Sequence, residues 1–181
     1  MVSSSAQALA VTEDDEPRVE PRQGGFTGTY RLLVRGKNIN QNTLLATDYL
    51  NHFNEIIMLL EMVPSMPECY RDAVEWRPKS YAQHFRDSCF SDAELAILAY
   101  ENAPENYRQA FDATIRQMDC LVLEAMPRIK GLIEAGEPGP LHLGIAQVTR
   151  KLQSFVDVAS SIVNGTTDTL DQAQIDQVMR A

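Results

Sequence analysis

FDATIRQMDCLVLEAMPRIKGLI, residues 111–133, is the stretch that decides the fold. Phe111, Ile115, Met118, Val122, Ala125, Met126, Ile129 and Ile133 recur every three or four residues and so share one face of a helix. Asp112, Arg116, Asp119, Cys120, Glu124 and Lys130 lie away from that stripe. Pro127 sits inside the run, opposite the stripe, and predicts a kink near residues 123–127 rather than a stop.

The same period continues on both sides. Gly136-Glu-Pro-Gly-Pro140 is the strongest turn signal in the chain. A helix over about 141–164 follows it, with Ile145, Val148, Leu152, Phe155, Val156, Ala159 and Val163 as its stripe and Gly165 as its stop. Thr167 or Asp168 opens a short terminal helix over about 168–180. Upstream, residues 43–63 predict a first long helix capped by Asn40 or Asn42. Ser65-Met-Pro-Glu68, Ser80-Tyr-Ala-Gln83 and Ser91-Asp-Ala-Glu94 are capping-box patterns. They open a helix closed by Pro78, a two-turn helix, and a helix to about Asn102, and Pro104 starts the next segment.

Before residue 42 the pattern changes. In FTGTYRLLVRG, residues 26–36, Tyr30, Leu32 and Val34 alternate with Thr29, Arg31, Leu33 and Arg35, and glycines bracket the run. That alternation predicts a strand. No second strand follows, so the expectation is an extended arm on the helical body, or an arm that pairs with another chain. Residues 1–25 carry three serines, the acids Glu13 to Glu16 and two prolines among few apolar side chains, which predicts a disordered acidic tail. The expected organisation is a tail over 1–25, an extended arm or strand over 26–36, and a single helical domain over 37–181. The fold class is mainly α: an irregular helical bundle of five to seven helices with an N-terminal extended/β arm.

Composition narrows the function. The 181 residues hold 16 Lys and Arg against 25 Asp and Glu, a formal net charge of −9. That balance argues against nucleic acid as a partner, because phosphate neutralisation needs clustered cations. No apolar run approaches the roughly 18 residues of a membrane span. The first twenty residues lack the basic start and apolar block of a signal peptide. Cys69, Cys89 and Cys120 are widely spaced and form no metal-type pair, which fits a reduced, cytoplasmic setting. No Ser-centred elbow, Gly-rich phosphate loop, His-Glu-x-x-His or paired-Cys motif is present, which weighs against a mainstream enzyme.

Two groups of residues are candidates for a site. Asp48, His52 and Glu55 are spaced by four and three, which puts them on one side of a helix, and two carboxylates with an imidazole can bind a transition metal. His84 would join them if the helix at 81–87 crosses the first. The helical wheel opposes this: the apolar centre runs through Ala46, Tyr49, Phe53, Ile56 and Leu60, with Asp48 and Glu55 nearly opposite and His52 at the edge. Phosphotransfer through His52 lacks a local cation for the phosphoryl group. The second group is residues 76–90, with the only Trp, three cations, His84 and three further aromatics. Rings and arginines are favoured at interface hot spots.

The expectation is therefore a non-enzymatic accessory or regulatory protein acting through protein–protein contacts, with a homodimer as the default assembly. Its contact residues would be Tyr30, Leu32 and Val34 on the arm, and Trp76, Arg77, Lys79, Tyr81, His84, Phe85 and Arg86. The alternative is a helical metal-binding protein or metal-dependent enzyme using Asp48, His52, Glu55 and His84. The sequence identifies no cofactor.

Overall fold

The computed structural model describes residues 26–166. The expected tail over 1–25 and the expected terminal helix over about 168–180 lie outside them. Among the described residues the chain is mainly helical and contains no strand. The seven α-helices are α1 (Thr27–Leu33), α2 (Asn51–Met62), α3 (Tyr70–Glu75), α4 (Tyr81–Asp87), α5 (Ala93–Glu101), α6 (Glu105–Ala135) and α7 (Pro138–Val163). Short 3-10 turns at Thr47–Leu50 and Pro67–Cys69 precede α2 and α3.

α6 and α7 form the backbone of the fold, packed against each other as a helical hairpin. The stripe from Phe111 to Ile129 is buried, apart from the half-buried Met126, and so is the whole stripe from Ile145 to Val163. α6 runs without interruption past Pro127. The Tyr70 hydroxyl donates to the carbonyl of Met126 beside that proline at 2.8 Å. Gly136 ends α6 with φ 70°, a left-handed conformation that glycine adopts without a Cβ clash. α7 begins earlier than its apolar stripe: Pro138 and Pro140 lie in its first turn, where a missing N–H costs nothing. At its far end Gly165 N–H bonds to Ile162 O at 3.0 Å and Thr166 N–H to Ser161 O at 3.0 Å. These two bonds are a Schellman cap.

α2 lies across α7, and the loop before it is tied to the end of α7: the Thr43 hydroxyl donates to Val163 O at 2.7 Å. Buried side chains from Val34 to Val163 make one contiguous core.

Three sequence expectations are corrected here. The strand over 26–36 is a helix over Thr27–Leu33. Tyr30 and Val34 are four apart, which suits the inward positions of a helix as well as those of a strand. Only Leu32 separates the two periods, and it is 73% exposed. The helix also solves the pairing problem of a lone strand, bonding Val34 N–H to Tyr30 O at 2.9 Å.

The long helix expected over 43–63 starts later. Asn40 acts as a turn residue rather than a cap, its side-chain oxygen accepting from the N–H groups of Asn42 (2.9 Å) and Thr43 (3.2 Å). The buried Leu44 then takes φ 59°, so the chain reverses before the 3-10 turn.

Of the three capping boxes only Ser80 caps through its side chain, accepting from Gln83 N–H at 3.2 Å. The other two helices start without a side-chain cap bond. Ser80→Ala is expected to cost about 1 kcal/mol, read from the urea midpoint, whereas Ser65→Ala should be near neutral.

Candidate functional site

The segment between α3 and α4, residues 76–80, has no regular structure. Pro78 biases Arg77 away from helix, and Pro78 itself has no N–H to donate. The carbonyls of this linker therefore need partners from elsewhere. His52 supplies one, with Nε2 at 2.9 Å from Arg77 O. A carbonyl only accepts, so Nε2 carries the proton and Nδ1 the lone pair. Tyr49 supplies another, its hydroxyl donating to Lys79 O at 2.6 Å. In return the Trp76 indole N–H donates to His52 O at 3.0 Å. The linker and the start of α2 are thus clasped reciprocally.

Ring packing reinforces the clasp. The imidazole of His52 stacks on Trp76, with centroids 4.7 Å apart and planes 19° apart. Tyr49 stacks on Tyr81 at 5.3 Å and meets His84 edge-on at 5.2 Å. His52 is only 5% exposed, and burial pushes its pKa down from 6.5 to about 4. Burial also lowers His84, partly opposed by a hydrogen bond to the Asp48 backbone.

A cleft of about 610 Å³ opens beside this clasp, lined by His52, Glu55, Asp72, Glu75, Trp76 and Arg77 among others. Its cations are already engaged. The Arg77 guanidinium turns back onto the carbonyls of Val74 and, at 2.8 Å, Trp76, at the C-terminal end of α3. Lys79 pairs with Asp87 at 2.9 Å. The exposed carboxylates of Glu55, Asp72 and Glu75 give the cleft its acidic character.

The structure brings some of the expected site residues together and separates others. His52 and His84 do converge, with ring centroids 6.1 Å apart. Each is hydrogen-bonded to a backbone group, His52 to Arg77 and His84 to Asp48. Asp48 sits on the 3-10 turn rather than on the same helix as Glu55, which breaks the spacing argument that grouped them. Among the described residues no three His, Cys, Asp or Glu gather as a metal site would require.

Trp76, Tyr81 and Phe85, expected as surface anchors, are buried in the core, and so is Val34 of the arm. Tyr30 is half-buried, while Leu32, Arg77 and Arg86 are exposed. Cys89 and Cys120 are exposed. Sequence reasoning missed Tyr49 as a structural donor. Its place on the apolar stripe of the helix expected over 43–63 marks it as core, and nothing in that pattern shows that its hydroxyl faces the linker.

No helix among the described residues is long and apolar enough to cross a membrane. Compared with protein-family models, with curated proteins and with solved structures, the chain matches none. Fold and site together describe an α-helical protein in which His52 and His84 serve as internal fastenings.

Proposed function

We propose that this is a non-enzymatic accessory or regulatory protein that works by binding another protein, with α1 and the exposed parts of residues 76–90 as contact elements. One observation carries the reading: α1 buries none of its own residues, and Leu32 and Leu33 on it, with Phe26 at its N-cap, are 73%, 53% and 69% exposed. Exposed apolar side chains grouped in this way favour a partner surface. The surrounding residues 26–37 contain Arg31, Arg35 and Lys37 and no acid, an exception in a chain of net charge −9. The complementary partner is an apolar groove with an acidic rim, which takes a helix face rather than an added strand.

The test is a Leu32→Ser, Leu33→Ser double variant. Both side chains are exposed, so the thermal midpoint should hold while binding falls at least tenfold. Deleting residues 1–36 is a poorer test, because it removes the fully buried Val34. If the double variant keeps its mass in light scattering and its partners in pull-down, the reading loses its support. A concentration-dependent dimer lost in the variant would identify a second copy as the partner.

The metal-binding alternative rests on the convergence of His52 and His84. Stoichiometric Fe, Mn or Zn in protein purified without chelator would favour it, and no thermal shift on adding those ions would remove it.

A further inference from the structure

We propose that α1 of one copy docks in the acidic cleft of a second copy, between α2, α3 and the 76–80 linker, so that this chain is its own partner. The proposal rests on the reading of α1 as a contact element and names what α1 meets. It makes the two contact elements the two halves of one interface.

On the helix side, Phe26, Leu32 and Leu33 give an exposed apolar face. Arg31 and Arg35 lie beside them, also exposed. Lys37, further on, is already paired with Asp92 at 2.8 Å. Arg31 uses one donor of its fork on Asn42 O at 3.4 Å and keeps the others for a carboxylate.

The cleft offers the converse. The stacked rings of His52 and Trp76 and the half-buried Leu59 form its apolar wall, and Glu55, Asp72 and Glu75 form an exposed rim. Met58 beside Leu59 on α2 and Val74 beside Glu75 on α3 are exposed as well. None of the three rim carboxylates is in an ion pair with another described residue. The cations of the cleft are turned away, Arg77 onto the α3 carbonyls and Lys79 onto Asp87. An apolar face flanked by guanidinium groups and an apolar cleft rimmed by carboxylates match in both respects, and opposed potentials of this kind select a partner and fix its register.

The contact has to be made between copies. In its own chain α1 lines no part of the cleft. It is held elsewhere: the Thr27 hydroxyl donates to Asn102 O at 3.2 Å, Lys37 reaches Asp92, and Val34 at its C-cap is fully buried. Swinging α1 into its own cleft would break these bonds and draw Val34 out of the core. The net charge of −9 on each copy opposes association at long range. At physiological salt that repulsion is screened beyond about 8 Å, whereas carboxylate–guanidinium pairs in contact are screened less. Helix face and cleft are different patches, so the contact is heterologous. It closes as a pair when made reciprocally and runs on as a chain of copies when not.

The experiment is light scattering and sedimentation of the full chain at rising concentration, in three forms: unaltered, Leu32→Ser with Leu33→Ser, and Glu55→Lys with Glu75→Lys. All four residues are exposed, so the thermal midpoint and the helical circular dichroism should hold. The unaltered chain should gain mass with concentration, and each variant alone should associate at least about tenfold more weakly. Mixing the two variants is the decisive arm. The cleft variant keeps an intact α1 and the helix variant an intact cleft, so the mixture should regain one contact and stop at one copy of each. Glu55→Gln with Glu75→Gln should weaken association less than the lysine pair, because it removes attraction without adding repulsion. That glutamine pair replaces the lysine pair if the latter fails to fold, and Arg31→Gln with Arg35→Gln replaces the helix variant in the same event.

An unaltered chain of single mass at every concentration would overturn the proposal, as would undiminished association of the cleft variant. A mixture that regains nothing would overturn it too, since a contact of α1 with α1 behaves that way. Pull-down separates this failure from that of the underlying reading. If the helix variant loses a different protein while the unaltered chain stays single, α1 remains a contact element and the second copy is removed as its partner.

Discussion

Replacing Trp76 by alanine is expected to destabilise the protein by about 3–5 kcal/mol, the range for deleting a large buried ring. The indole is buried, stacks on His52, tilts against Phe53 at 5.8 Å, and donates to His52 O. Removing it opens a cavity under the linker and takes one side of the clasp away. Trp76→Phe should keep most of the packing and lose about 1–2 kcal/mol, because the N–H bond goes with the indole. Arg77→Ala, one residue on and exposed, should cost no more than about 1 kcal/mol through its lost cap on the α3 carbonyls. Urea unfolding at neutral pH ranks the three. If Trp76→Ala unfolded as readily as Arg77→Ala, the linker would be held by something other than this ring.

The second large effect is on acid stability. His52 titrates near 6.5 in an unfolded chain and at about 4 in the folded one. Between those values the unfolded state binds the extra proton, so stability falls as pH drops through the window. Above it the neutral ring costs nothing. Below about 4 the loss is complete, on the order of 2 kcal/mol for a largely buried ring. His84 is shifted in the same direction and adds to it.

Asp119 works the other way. Its folded pKa of about 6 lies above the unfolded 3.8, so the folded state takes up the proton first and gains stability as pH falls through the same range. The two variants therefore bend the curve in opposite senses. His52→Gln keeps a donor for Arg77 O and should flatten the acid limb, while Asp119→Asn should steepen it. Thermal midpoints from pH 7 to pH 4 measure both, and parallel curves for the two variants would refute the assignment.

Much of the helical frame is legible in the sequence, because α6 and α7 are long enough for the period to be unambiguous. Phe111, Ile115, Met118 and Val122 need only count out their spacing, and so do Val148, Leu152 and Phe155. Short elements carry no such redundancy. At seven residues α1 fits two periods, and Leu32 alone distinguishes them. At residues 40–46 the outcome depends on where one Asn side chain bonds. The site was harder still. His52 reads as a helix-edge residue, but its burial comes from Trp76, which arrives from a linker whose path no local pattern specifies. Asp119 reads as a polar-face residue, and its half-burial in the cleft it shares with Tyr49 and the linker is not visible from its own helix.

The bond from Thr43 to Val163 also bears on how the chain is made. The inner face of α2 leaves the ribosome well before its cover does, since α2 ends at Met62 and α7 begins only at Pro138. At about 5–20 residues per second, Phe53, Ile56 and Leu60 wait several seconds for Leu152 and Phe155 to emerge. During that interval the nascent chain offers α2 as an uncovered apolar strip. A stall or truncation before α7 would leave that strip without its α7 cover, the kind of exposed apolar surface on which incomplete chains aggregate.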